Sequence, residues 1–181
     1  MSSPVLAFTP NEARILARCS LHYYFQQQSP LPPDPATAEL DRLVREVIQE
    51  LHAAGGPARL SLERCLTRVQ GQPTAQAMIE RYYQRLGQDW LRLIAGNEEL
   101  ELKITLAGVP VTLTGTVDRL DKTSDGGILA ILFRTSPDPP PSPEELRQDD
   151  ACTIYHALVA AHYPAKRPVR LQEWWLQANQ Q

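Results

Sequence analysis

The chain has 181 residues, 43% of them hydrophobic and 22% charged, with a net charge of −3. That make-up suits one soluble globular domain with a proper core, and it excludes a disordered or low-complexity polymer. It also argues against a protein that holds nucleic acid alone through phosphate contacts, because such proteins are basic overall.

Thr9-Pro10-Asn11-Glu12 has the composition of a helix start, with Thr as the cap, Pro at the first helical position and Glu at the third. The spacing predicts a helix to about residue 28, with Ile15, Leu16, Cys19, Tyr23 and Tyr24 facing inward. A Pro-rich stretch ends it. A second helix over 36–54 carries Leu40, Leu43, Val44, Val47, Ile48 and Leu51 at helical spacing. A short third helix is expected over 61–69, and a long fourth over 74–95 with Met78, Ile79, Tyr82, Leu86, Trp90, Leu93 and Ile94. The period then changes to two. Leu100, Leu102, Ile104 and Leu106 alternate in a strand over 99–106. Residues 142–162 read as one helix, and 169–176 as a last strand on which Trp174 and Trp175 face opposite ways.

The segment 110–136 sits at the centre of this order. Thr112, Thr114, Thr116 and Asp118 share one face of a strand, Thr123 to Gly127 supply a turn, and Ile128 to Phe133 is apolar without a break. Such a run suits a strand covered on both faces. Pairing as a hairpin would bring Asp118 near Arg134 at one end of the sheet.

Other residues have plain readings. Cys19, Cys65 and Cys152 stand far apart and form neither a metal knuckle nor a disulfide framework, so a reducing cytoplasm is expected. The start lacks the basic-then-apolar pattern of a signal peptide, and no apolar run reaches the ~18–20 residues of a bilayer span. Cys19 reads as a core thiol, Tyr23, Tyr24 and Phe25 as packing aromatics, and Glu99 and Glu101 as a solvated strand edge. The histidines His22, His52, His156 and His162 show no shared ligand spacing. Lys166, Arg167 and Arg170 form the densest basic spot.

This order of helices followed by β-β-β-α-β resembles the RecB-type branch of the PD-(D/E)XK nuclease superfamily, which includes nuclease domains of bacterial helicase–nucleases and CRISPR-associated RecB-like nucleases. GTVDRLD matches the family segment G-x-x-D-R-x-D through Gly115, Asp118, Arg119 and Asp121, and the Cys19–Phe25 stretch resembles its opening helix. The resemblance implies an α/β fold bordering on α+β. It implies a restriction-endonuclease-like mixed sheet in a single domain, with 1–97 mainly helical and 98–181 the βββαβ core.

In active relatives a His, two acids and a Lys surround a divalent metal. Here Arg45 stands at the place of the His, Leu132 at the second acid and Arg134 at the Lys. Tyr155 is kept, but Ala151 replaces its usual Gln partner. One carboxylate facing two guanidinium groups is a poor magnesium site, since the ion wants several oxygen ligands. The expectation is an ion-pair cluster of Asp118, Arg134 and Arg45 in the place of the metal, no cofactor, and no cleavage. If DNA is bound, the candidates are Arg119, Arg134, Tyr155, Lys166 and Arg167. If the protein cuts after all, with magnesium, Asp118 and a migrated acid such as Glu101, Asp121 or Asp150 would hold the ion. The resemblance implies an inactive module of DNA repair, recombination or defence that binds DNA or docks on a helicase or nuclease subunit, with a pure protein-interaction domain as a further alternative and no membrane.

Overall fold

The computed structural model describes residues 6–30, 32, 34–86 and 92–177. The order is β1 (Leu6–Phe8), α1 (Pro10–Arg18), α2 (Ser20–Gln28), α3 (Pro35–Ala53), α4 (Leu62–Arg68), α5 (Pro73–Leu86), β2 (Leu93–Leu106), β3 (Val109–Lys122), β4 (Ile128–Arg134), α6 (Pro143–Arg147), α7 (Asp150–His162) and β5 (Val169–Trp175). The five strands form one open mixed sheet flanked by helices. None of the described helices is long and apolar enough to cross a membrane.

β3 is the axis. β2 pairs antiparallel along one edge of it, joined by the tight turn Ala107–Gly108, where both residues have positive φ. The other edge of β3 is shared. Its first half pairs parallel with β1 at residues 111–113, and its last four residues pair antiparallel with β4. β4 then pairs parallel with β5 over its whole length. Between the β1 and β4 ladders the strands fork, and Asp118 stands at that fork.

Two apolar layers cover the sheet. On one face Val44, Val47, Ile48 and Leu51 of α3 pack with Met78, Ile79 and Tyr82 of α5 against Ile131, Phe133 and Trp174. On the other, Leu158 and Val159 of α7 pack against Val117, Leu120, Ala130 and Leu132. β4 therefore feeds alternate residues to both cores, which is why its sequence is apolar throughout. Each fully buried aliphatic side chain contributes about 1.5–3 kcal/mol here.

Four expectations about elements change. The first helix is broken at Cys19, whose backbone is extended and whose Sγ accepts the His22 N–H at 3.4 Å. Cys19 is thus an exposed cap rather than a core thiol. Tyr23 packs on Phe8, but Tyr24 and Phe25 stack edge-on against each other in solvent. The fourth helix does not reach residue 95, because Leu93 and Ile94 already belong to β2; Trp90 lies outside the described residues. The helix expected over 142–162 is two, since Asp149 caps α7 by accepting the Ala151 and Cys152 N–H groups at 2.8 and 3.1 Å. β1 is an addition that three short residues gave no means to foresee.

The turn after β3 closes through Thr123 N–H to the Gly127 C=O, with Gly126 at φ 82°. A Cβ on Gly127 would stand 2.2 Å from the Pro168 carbonyl oxygen. Gly127→Ala should therefore force β4 away from the start of β5, at a cost of about 1–3 kcal/mol. A lower urea midpoint at unchanged m would register it.

Candidate functional site

At the fork, β4 turns the N–H and C=O of Phe133 toward a β3 that has already moved away. Side chains satisfy both groups. The Phe133 N–H donates to Asp118 Oδ2 at 2.6 Å, and the Phe133 C=O accepts from Arg45 Nη2 at 3.1 Å. Arg45 Nη1 donates to Asp118 Oδ1, closing the ring. Arg45 reaches in from α3, where Asp41 one turn earlier accepts its Nε–H at 2.8 Å, an i,i+4 pair. Asp41 also accepts the Thr135 hydroxyl at 2.6 Å. One guanidinium thus lies among three oxygen-bearing groups: two carboxylates and a main-chain carbonyl.

Arg134 is not part of this ring. Its Nε donates to Glu173 Oε1 on β5 at 2.9 Å, with a second bond from Nη2. The register explains it. Glu173 is the β5 partner of Leu132, so its carboxylate rises beside the leucine and within reach of Arg134 two residues on. The expected Asp118–Arg134 contact is replaced by two separate pairs, Asp118–Arg45 and Glu173–Arg134. Leu132 is buried in the α7 core.

Arg119, expected to meet DNA, is fully buried. Its Nε–H bonds both oxygens of Asp121, at 2.8 and 3.0 Å, and Nη1 reaches the Tyr82 hydroxyl at 3.3 Å. Burial opposes its charge, but Tyr82 and the Asp121 carboxylate outweigh that and hold its pKa above the usual guanidinium value. His52 continues the network through Nε2 to the Tyr82 oxygen at 2.6 Å. Burial, helped by the nearby Arg119 charge, lowers the His52 pKa to about 4, and burial raises that of Tyr82 to about 12. Asp121 is therefore spent on Arg119 and is not a migrated metal ligand.

The remaining candidates scatter. Tyr155 is half-buried against Gly115; a Cβ there would come within 3.0 Å of its ring and of Leu158. Glu101 pairs with exposed Lys103 at 3.0 Å and lies opposite Thr114, four residues or roughly 13 Å along β3 from Asp118. Asp150 is exposed at the start of α7. Lys166 and Arg167 precede β5, whose first residue Val169 already lies six residues, or roughly 20 Å, from the Arg134 partner Trp175 along the strand. Beside Arg134 opens a cleft of about 460 Å³ whose arginines, Arg14, Arg18 and Arg134, are matched by Asp138, Glu145, Asp149 and Glu173. Arg14 is paired with Asp149 at 3.2 Å. Burial alone would raise the Asp149 pKa, but the Cys152 N–H and Arg14 lower it overall.

This arrangement of a forked mixed sheet, with an aspartate at the fork and helices on both faces, accompanies a sequence match to the PD-(D/E)XK nuclease superfamily over residues 7–181. The chain belongs to this superfamily. Comparison with curated proteins returned no match.

PD-(D/E)XK nucleases cut with a divalent metal, and the residues here do not fit one. Among the described residues no group of three His, Cys, Asp or Glu side chains converges as a metal site. Leu132 offers no oxygen, and both oxygens of Asp118 are engaged. The void between Arg45, Asn97, Asp118 and Phe133 is about 10 Å³, the lower limit for a single water.

Two measurements check these networks. Arg45→Met, which keeps packing but removes the charge, should destabilise by about 2–3 kcal/mol. That is less than for a fully buried pair, because 31% of the Arg45 side chain is exposed. In a double-mutant cycle, Asp118→Asn should cost less in the Arg45→Met background than alone. For His52, the folded pKa lies below the unfolded 6.5, so the unfolded state binds more protons between pH 6.5 and 4. Stability should fall by on the order of 2 kcal/mol as pH drops through that window, and His52→Gln should remove that part of the slope.

Proposed function

We propose that this chain is a RecB-type PD-(D/E)XK module without cleavage activity, serving DNA repair, recombination or defence in the cytoplasm as a docking subunit for a helicase or nuclease partner. The observation that carries the reading is the Arg45 guanidinium on Asp118. A fixed positive charge sits where a nuclease of this superfamily would place its cation, and it repels any second one. Arg134 supports the same reading, since a guanidinium tied to Glu173 cannot pass a proton at working pH. No metal or other cofactor is called for.

Docking is favoured over DNA holding because the cations expected to meet phosphate do not gather. Arg119 is buried, Arg134 and Arg14 are paired with acids, and Lys166 and Arg167 lie at the far end of β5. With a net charge of −3, any contact with DNA is secondary to that with a protein partner.

Purified protein incubated with single- and double-stranded DNA and Mg²⁺ or Mn²⁺ is expected to leave both intact. Cleavage that Asp118→Ala abolishes would overturn the reading.

A further inference from the structure

β5 is the outermost strand on its side of the sheet, and the direction of its backbone groups shows what its free edge offers. In a parallel ladder, successive residues turn their N–H and C=O to alternate edges. The Pro168 C=O accepts the Ile128 N–H, and the Leu176 N–H donates to the Arg134 C=O. Residues 168, 170, 172, 174 and 176 therefore serve β4. Val169, Leu171, Glu173 and Trp175 direct theirs outward. The Val169 C=O meets His156 Nε2 at 3.2 Å. The main-chain groups of Leu171 and Glu173 meet no partner among the described residues.

Alongside this edge runs a groove of about 490 Å³, walled by Leu146, Arg147, Cys152 and Thr153 and floored by Leu171 and Glu173. Its surface is mostly carbon. The sheet's other long edge, on β2, carries exposed Glu99, Glu101 and Lys103, charges that discourage strand addition. On β5 the exposed charge is that of Arg170, which precedes the stretch beside the groove. Arg170 is tied to Asp125 at 2.7 Å, and Glu173 faces inward to Arg134. The charge left at the groove's rim is that of Arg147, whose contact with Glu144 is 3.3 Å long and solvent-exposed.

We propose that the β5 edge binds an extended segment of a partner polypeptide as an added strand. Alternate apolar side chains of that segment enter the groove, and an acidic one meets Arg147. A row of alternating N–H and C=O groups repeating at about 6.8 Å matches the donors and acceptors of another extended polypeptide backbone. A second copy of this chain fits less well. Antiparallel β5–β5 pairing about a two-fold axis would bring both α6–α7 walls to one side of the joint and would leave Arg147 facing the like charge of its own copy. The inference rests on the partner-docking part of the proposed function, and it gives that docking a surface.

The test uses the full chain and the peptide Thr-Val-Thr-Val-Thr-Glu-Thr-amide, fluorescein-labelled at its N-terminus, in which both valines and the glutamate share one face, with versions carrying Leu or Phe in place of Val, followed by anisotropy. Saturable binding is expected. Methylating the backbone nitrogens that face β5 should weaken it about tenfold or more, while methylating the alternate set should change it less than about twofold. Thr153→Trp, an exposed substitution that fills the groove, should abolish binding with the thermal midpoint unchanged. Three results would each overturn the proposal: no binding by any of the peptides at millimolar concentration, binding indifferent to which nitrogens are methylated, or sedimentation as a dimer that Thr153→Trp disrupts. No DNA or metal is present, so DNA cleavage in the separate assay would end the proposed function without altering this result.

Discussion

The fork between β3 and β4 leaves the main-chain N–H and C=O of one residue, Phe133, without a strand to pair with. A buried N–H and C=O left open would cost as much as a lost hydrogen bond apiece. Asp118 and Arg45 meet both, one with an anion and the other with a cation, and they neutralise each other in doing so. The sheet opens at this point because β1 and β4 share one edge of β3 and cannot meet. An ion pair is thus the closure of the fold here.

The same constraint gives Asp118 a structural role of its own. A carboxylate that accepts a main-chain N–H has structural work apart from catalysis. Arg45 also draws in Asp41 and, through it, Thr135, so α3 is fastened to the end of β4 by four polar groups. Behind them, Arg119, Asp121, Tyr82 and His52 form a second buried network that ties β3 to α5 and α3. Buried charges are retained where each finds a partner. Gly96 belongs to this network by necessity, since a Cβ there would meet His52 Nδ1 at 2.1 Å.

The strands and the helical core of α3 were legible because period and composition agree there. The apolar run of β4 announced a strand covered on both faces, and Thr9 with Glu12 announced a capping box that forms as read. The site was only partly legible. Asp41 could have been found from its i,i+4 spacing to Arg45, and Glu173 from its place on the same face of β5 as Val169 and Leu171. What no local pattern carries is the lateral register that sets Glu173 beside Leu132, and with it the choice of Arg134 between two acids. The burial of Arg119 was hidden for the same reason: a charged residue in a motif reads as surface until the helix that covers it is placed.

The polar cleft beside Arg134 is lined by four acids against three arginines, so it presents no field to draw in a phosphate backbone. The unsatisfied features lie elsewhere, at the edge of β5. Edge strands left bare are prone to aberrant pairing, and a soluble domain ordinarily charges or covers them. β2 carries three exposed charges along its edge, whereas the part of β5 beside the groove, Leu171 to Glu173, is left open to an added strand.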